Sequence, residues 1–376
     1  FLILIILLET IVFLTIRTLG NNVSILQALA DFESVVQPFV IMFFFSLVVF
    51  KLSKLKLEER LITASKILIL MLSLNTIWSI FNIFLDLTSI NIYFWGAEES
   101  VATRAMTNGR YSGIFNQPME AGAMYSLGLL SWIYISEKIN VIKFKYIIGL
   151  FLMIIGGILS VSKVFLFGGI GLFIIGVFLN KRIWKMIVSL TIWSILIGTP
   201  TYYFLIQKWS GVKYLTRFFD ISQDLLMLLT SGRFGENSQQ LRLFEEVWRN
   251  NPLIGSGFGV QTVYDSGFFY FFGNGGLIGL SFYLLILITF VVLSIHYINK
   301  YRLNAETKFF TLIVILIIAS SIGAPILTLN RVSTVLWVLI GLLIQYFYYF
   351  KIELIDSKSL MSQVVTDKLN GTVSAK

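Results

Sequence analysis

The chain has 376 residues, of which 57% are hydrophobic and 13% charged, and its formal net charge at pH 7 is +9. Its repeated long apolar runs exclude an ordinary soluble domain and indicate a polytopic membrane protein. Cysteine is absent and His296 is the only histidine, which excludes disulfides, thiol catalysis and cysteine-ligated metals. The positive charge does not indicate nucleic acid, because Lys and Arg collect on the inner side of inner-membrane proteins.

The apolar runs predict an all-α integral membrane protein with about ten transmembrane helices. In chain order the predicted spans are 1–16, 35–52, 62–85, 118–136, 146–161, 164–180, 186–206, 267–296, 309–324 and 332–350. The first span is expected to be incomplete, because Phe1 already lies inside an apolar run. A large polar loop, 207–266, is inserted between spans seven and eight of a transmembrane domain, 1–350. The polar tail, 351–376, is predicted to be flexible.

The short loops predict the orientation of these spans. Clusters of Lys and Arg fall on one face if the spans alternate, so that face is cytoplasmic and both termini lie inside. The clusters lie in 51–60, 138–145, 181–185 and 300–308. Loops 17–34, 88–117 and 207–266 are then outside, with tight external turns near Ser162 and Asn330.

Arginine and lysine are sorted unequally by this map. Of 18 Lys and 11 Arg, only three lysines are external, whereas eight arginines are. Those arginines are Arg17, Arg104, Arg110, Arg217, Arg233, Arg242, Arg249 and Arg331. Because arginine presents a planar fork of donors that fits phosphate or carboxylate, the pattern indicates anion recognition. The structural alternative is pairing with local acids such as Glu98, Glu245 and Glu246.

Residues 233–250 are predicted to form an amphipathic helix that ends before Pro252. Its apolar face consists of Leu241, Phe244 and Trp248. Arg242 and Arg249 share another face, about 10 Å apart along the axis. The helix is expected to lie on the outer membrane surface with these arginines directed at a lipid-linked anion. In the alternative, Arg242 pairs with Glu246 and Arg249 with Glu245.

The segment after this helix contains three alternating glycines and an acid. Gly255, Gly257 and Gly259 follow no strand, so they predict a tight return to the membrane rather than a dinucleotide site; an anion site made of backbone amides is the alternative. Asp265 begins span eight, where partial desolvation would raise its pKa and suit a general base. Its structural alternative is a helix N-cap.

Two further segments carry external cations. Arg110 precedes Pro118 and Glu120, which suit the first turn of a helix, but that structural role does not account for the arginine. Lys163 lies in the outer turn between spans five and six. It either reaches water or faces a central cavity.

These segments, in this order, resemble the O-antigen polymerase and ligase superfamily, which includes capsular polysaccharide polymerases (the Wzy type). The resemblance covers about span three to span nine. Arg110 with Gly113-Ile-Phe-Asn-Gln-Pro118 resembles the family's R-x-G-x-F-x-N-P stretch, and Ser160-Val-Ser-Lys163 its outer hairpin. Ser231-Gly-Arg233 with Pro252-Leu-Ile-Gly255-Ser-Gly257 resembles the end of its large external loop. Asp265-Ser266, nine residues and Gly276-Leu-Ile-Gly279 fit the ligase pattern in spacing, but Asp replaces the ligase histidine.

The resemblance, with this Asp-for-His difference, favours a polymerase in a bacterial inner membrane over a ligase. It implies growth of a glycan on undecaprenyl-pyrophosphate at the outer face, without metal or cofactor. Its partners would be lipid-linked glycans, membrane lipid, and a flippase and chain-length regulator of the same pathway, with no nucleic acid. Asp265 is expected to be the base, and Arg233 and Arg249 to bind pyrophosphate. Arg217 and Arg242 are further candidates for that role.

Arg110 and Lys163 are expected to bind the carrier or second substrate. A flippase of lipid-linked oligosaccharide, an O-antigen ligase and a shape-determining cell-wall glycosyltransferase remain as alternative functions. A flippase would need charges lining a path across the membrane, whereas the predicted spans hold few charges, Glu9 and Lys66 among them.

Overall fold

The fold is given by a computed structural model. It describes residues 25–47, 53–85, 87–95, 101–139, 143–180, 184, 209–212, 215, 238–260, 266–329 and 331–349. Within these ranges the regular structure is entirely helical. The predicted spans 1–16 and 186–206 and the tail 351–376 lie outside the described residues, as do Arg217, Arg233 and Asp265.

The described part of the chain contains a series of helices and one π-helical segment. In chain order they are α1 (Ile25–Leu47), α2 (Lys54–Phe84), α3 (Thr88–Trp95), α4 (Val101–Thr107), α5 (Pro118–Lys138), α6 (Phe144–Leu159), a π-helical segment (Val164–Gly169) continued by α7 (Ile170–Phe178), α8 (Gln239–Asn250), α9 (Gly267–Tyr301), α10 (Ala305–Ser321) and α11 (Arg331–Tyr349). Every predicted span within the described residues is therefore helical over most of its length. Of these helices, α2, α9 and α11 are long and apolar enough to cross a membrane, and α6 and the π–α7 helix are apolar but shorter.

The predicted outer loop 17–34 contains regular structure over its described part. Residues 25–34 form the first ten residues of α1. Polar residues such as Asp31 and Ser34 lower the hydropathy there, yet they do not break a helix, because their side chains bind partners elsewhere in the fold. The predicted loop 88–117 likewise contains two short helices, α3 and α4.

Helix α5 lies at the centre of the described bundle and is buried almost throughout. It packs against α2, α6, α7, α10 and the π-helical segment. Gly122 touches Ser162, and Gly128 touches Leu72 and Met153, so closely that a Cβ atom at either glycine would overlap the neighbour. Small residues permit this close helix approach, which is a common way to pack helices within a membrane.

One end of the bundle is held by ion pairs between helices. Lys138, the last residue of α5, lies 3.1 Å from Glu58 of α2 and 2.5 Å from Glu306 of α10. Lys308 pairs with Glu137 at 2.6 Å. Glu58 and Glu306 lie near the starts of α2 and α10, whereas Lys138 ends α5, so both helices run antiparallel to α5. We call this the lysine end.

Candidate functional site at the arginine end

The opposite end of the bundle carries arginines, and we call it the arginine end. Here α5 and α11 begin and α10 ends, at Pro118, Arg331 and Ser321. Ser266, at the start of α9, donates a hydrogen bond to the Ser321 carbonyl at 2.9 Å, so α9 begins at this end too. The predicted site residues that the structure describes all lie at this end.

The predicted pair Arg110 and Lys163 is brought together. Nη2 of Arg110 donates to the Val161 carbonyl at 3.1 Å, and the Tyr111 amide donates to the Leu159 carbonyl at 2.9 Å. The segment leading from α4 to α5 therefore runs along the hairpin between α6 and the π-helical segment. Lys163 follows two residues after Val161, which has a positive φ of 47°. Lys163 is half-buried, so its side chain is neither fully in water nor fully enclosed, the two environments that the sequence left open.

Gly113 explains how the Arg110 segment keeps its shape. It has a φ of +65°, and a Cβ atom there would lie 2.1 Å from Oδ1 of Asn75. That oxygen accepts the Ile114 amide at 2.8 Å, and the Asn75 side-chain nitrogen donates to Tyr125 at 2.9 Å. Gly113 thus permits the backbone conformation of the Arg110 motif, and the side chain of Asn75 in α2 occupies the space beside it.

Glu120 connects the start of α5 to the start of α11. It is only 4% exposed, and it accepts the Asn116 amide at 3.1 Å. Backbone amides of Gln117 and Arg331 also donate to it. Pro118 and Glu120 thus occupy the first turn of α5 as predicted, and the carboxylate additionally caps α11.

Arg331 has a structural role. Its Nη1 donates to the Ile114 carbonyl at 2.5 Å and its Nη2 to the Phe94 carbonyl at 2.8 Å. These bonds tie α11 to α3 and to the segment before α5. This arginine, which the sequence predicts to be external, therefore serves the fold, with Glu120 as its neighbouring acid.

A shallow crevice lies beside Arg110, and it has no room for a water molecule. Its walls are Asn82, Asn91, Trp95, Ala102, Met106, Arg110, Tyr111, Ser112 and Gly113. Burial raises the pKa of the Tyr111 phenol, so the hydroxyl stays protonated. The amide side chains and aromatic rings of this crevice thus pack closely behind Arg110.

Helix α8 packs its apolar face on the first turns of α9. Ser238 caps it by accepting the Leu241 amide at 3.2 Å. The Phe244 ring stacks on Phe272 with centroids 4.6 Å apart, and the Trp248 ring lies 6.2 Å from the same ring. The predicted amphipathic helix is confirmed over Gln239–Asn250, but it begins after Ser238, whose backbone is extended; residues 233–237 lie outside the described residues.

The exposed face of α8 carries both predicted arginines. Arg249 pairs with Glu245 at 3.5 Å, as the structural alternative predicted, but the two side chains are 78% and 62% exposed. A pair this exposed contributes at most about 1 kcal/mol and exchanges readily with other anions. The corresponding pair of Arg242 with Glu246 does not form between these two described residues. Both guanidinium groups therefore face away from the bundle.

The glycine loop turns back tightly, as predicted, and it docks into a break in α9. Gly255, Gly257 and Gly259 all have positive φ, and Gly276 interrupts α9 with φ 57° and ψ −148°. The loop supplies the hydrogen bonds that the broken helix lacks. They are Ser256 N to Gly273 O (2.8 Å), Gly257 N to Asn274 O (3.0 Å), Leu277 N to Pro252 O (2.8 Å) and Ile278 N to Leu253 O (3.2 Å).

This docking overturns the alternative that the loop amides form an anion site. The amides of Gly255, Ser256 and Gly257 donate to carbonyls, and that of Gly259 donates to the Asp31 carboxylate. Since the amides of all three glycines and of Ser256 are already bound within the protein, the loop 252–260 has a structural role, and we call it the wedge. The two glycine motifs, G-x-G-x-G and Gly276-Leu-Ile-Gly279, meet at this wedge, which the sequence did not predict.

No protein family model, no curated protein and no solved structure matches this chain. Its function is therefore inferred from its own residues.

Three predicted site residues are not placed, because Arg217, Arg233 and Asp265 lie outside the described residues. The N-cap of α9 is Ser266, whereas the sequence had offered Asp265 for that position. His296 lies near the other end of α9 and contacts Tyr297 there, so it is remote from the arginine end. Within the described ranges, no group of three or more His, Asp or Glu side chains could hold a metal ion.

Proposed function

We propose that the protein is a membrane glycosyltransferase that polymerises undecaprenyl-pyrophosphate-linked repeat units at the outer face of a bacterial inner membrane. The observation that most supports this proposal is the gathering of cations at the arginine end. Arg110 and Lys163 lie on adjoining segments there, and Arg242 and Arg249 are exposed on a helix beside the start of α9. Such a surface suits a diphosphate carried at the membrane boundary.

In the proposed reaction, a sugar hydroxyl of one lipid-linked glycan attacks the anomeric carbon of another. A glycosidic C–O bond forms, and the bond from that carbon to the pyrophosphate oxygen breaks. Asp265 accepts the hydroxyl proton. Pyrophosphate leaves with the bonding electrons, and arginine charge stabilises it without a proton or a metal. A single base predicts one displacement with inversion at the anomeric carbon.

The roles proposed for the cations come from the sequence and its family resemblance, since Arg217 and Arg233 lie outside the described residues. Arg233 and Arg249 bind the leaving pyrophosphate, with Arg217 and Arg242 as further contributors. Arg110 and Lys163 bind the carrier or the second substrate. The exposed pair between Arg249 and Glu245 does not oppose this role, because a diphosphate carries more charge than one carboxylate and competes for the same donors.

Reconstitution with purified lipid-linked repeat units tests the proposal. Chain growth in vesicles without a membrane potential or a second protein is the expected result. Translocation without growth would instead support the flippase, and transfer of a finished glycan to a different lipid would support the ligase.

The proposal also requires the arginine end to face outward. The chain has no cysteine, so single thiols report sidedness cleanly. In intact cells, a membrane-impermeant maleimide is expected to label Asn250→Cys at the exposed end of α8 and to spare Leu303→Cys at the lysine end. The reverse pattern would contradict the orientation.

A further inference from the structure

Helix α1 holds the glycine loop and the first half of α9 from one side. The Asp31 carboxylate accepts the Gly259 amide, and the Ser34 hydroxyl lies 2.9 Å from that of Tyr270. Ser34 also donates to the Asp31 carbonyl at 2.7 Å. Two polar residues, three apart on one helix, thus bind two segments that are separate in sequence and adjacent in space.

Apolar contacts strengthen the same interface. Ala28 and Val35 are buried against Phe258, with Ile254 and Tyr270 packed around them. Residues 28, 31 and 35 are spaced by three and four, so they share one face of α1.

The free-energy cost of placing a carboxylate at this position distinguishes Asp31 from a solvated surface acid. A carboxylate next to an apolar segment is costly unless it is bound. Gly259 has a φ of +74°, a backbone conformation that a residue with a side chain rarely adopts. The bond between them therefore depends on an acceptor oxygen at position 31 and on the backbone conformation that the glycine permits.

We propose that Asp31 and Ser34 are positioning residues, which fix the wedge 252–260 and the first half of α9 and thereby set the position of α8 on the arginine end. Their structural effect stands by itself, and their effect on catalysis rests on the proposed function. In this view α1 is part of the active-site scaffold, although it carries none of the proposed substrate ligands.

Thiol labelling tests the positioning directly. Val260, at the end of the wedge, is 36% exposed, and Val260→Cys provides the only thiol in the chain. Adding Asp31→Leu is expected to accelerate maleimide labelling by about tenfold, because a hydrogen bond to a charged group shifts a local equilibrium by about that factor. Asp31→Asn keeps an acceptor oxygen and is expected to label near the parent rate.

Glu33→Leu is the matched control, because it removes an exposed acid two residues away on the same helix. It is expected to leave labelling unchanged. An unchanged rate in Asp31→Leu, or an equal rise in Glu33→Leu, would overturn the inference. If Asp31→Leu does not yield folded protein, Ser34→Ala must accelerate labelling, and an unchanged rate there overturns it equally.

The activity assay separates this inference from the proposed function. If both hold, Asp31→Leu lowers kcat for chain growth while Asp31→Asn restores most of it. If labelling accelerates but the parent protein forms no glycan, the positioning stands and the polymerase is wrong. If the parent polymerises and Asp31→Leu labels at the parent rate, the polymerase stands and the positioning is wrong.

Discussion

At the scale of single residues, the external arginines divide by what their donors reach. Arg331 binds two backbone carbonyls and belongs to the fold, whereas Arg242 and Arg249 lie exposed on α8. Arg110 stands between these cases, because one of its nitrogens binds the Val161 carbonyl and its side chain also lines the crevice. The excess of arginine in the predicted external loops therefore has more than one cause. The structure is needed to separate the arginines that stabilise the fold from those that can face a ligand.

For the proposed pyrophosphate contact, Arg233→Lys is expected to abolish chain growth although the charge is kept. Lysine presents a point charge and cannot offer the bidentate fork that a diphosphate engages. Glycan length on gels measures the effect, with expression level as the control for folding and Arg104→Lys, at an exposed arginine with no proposed role, as the matched control. Normal glycan length in Arg233→Lys would remove this residue from the mechanism.

Gly113→Ala is expected to destabilise the protein by about 2 kcal/mol or more, because φ is positive and Asn75 occupies the space of the methyl group. Thermal melting in detergent measures the change. Gly171→Ala is the matched control, since a Cβ at Gly171 meets nothing within 4 Å. Equal melting temperatures for the two variants would show that Asn75 and the segment yield without cost.

Local features of the sequence predicted local structure well. Pro118 and Glu120 begin α5, the apolar face of α8 packs inward, and the glycine triplet makes a tight return. Contacts between distant segments could not be predicted in this way. Asn75 meets Ile114 across 39 residues, and Asp31 meets Gly259 across 228. Hydropathy therefore assigned Asp31 to a loop, because its partner was not visible in the local sequence.

At the scale of elements, the break in α9 combines two motifs into one unit. The apolar run predicts a span over 267–296, and hydropathy alone gives no sign of a break within it. Here Gly276 instead admits the backbone of Leu253 and Ile254. Irregular backbone near a membrane is tolerated where protein satisfies its hydrogen bonds, and the wedge meets that requirement.

Gly276→Ala is expected to displace the wedge, because a Cβ atom there would lie 2.5 Å from the Leu253 carbonyl carbon. The expected result is faster proteolysis between residues 250 and 260, together with loss of chain growth. Gly168→Ala serves as the control, since its nearest neighbour would be a Leu316 methyl group at 3.4 Å. Protection equal to that of the parent would show that the break does not depend on glycine.

At the scale of the whole molecule, the two ends of the bundle use charge differently. At the lysine end, cations and acids neutralise one another between helices, with Lys138 between Glu58 and Glu306. At the arginine end, Arg242 and Arg249 of α8 are exposed on the surface, outside the packed core. The lysine end therefore stabilises the bundle, whereas the arginine end presents exposed cations that can bind an anionic ligand.

Lys138→Met is expected to destabilise the bundle by about 2 to 3 kcal/mol, because it leaves buried Glu306 without its cation. Melting in detergent measures this loss. Lys56→Met, which removes an exposed lysine from the same end, is expected to melt like the parent. A small effect of both substitutions would mean that Lys308 and solvent compensate for Lys138.

The burial of α5 has a consequence for biosynthesis. The helix has 21 residues, long enough to span a bilayer, but it carries serines and Glu120 and is not among the three most apolar long helices. Alone in lipid it would be a poor substrate for the translocon. If α5 spans the membrane as the sequence predicts, its stable insertion depends on α2, made before it, and on α6, made after it, so the ribosome delivers the centre of the bundle before all the helices that pack around it exist.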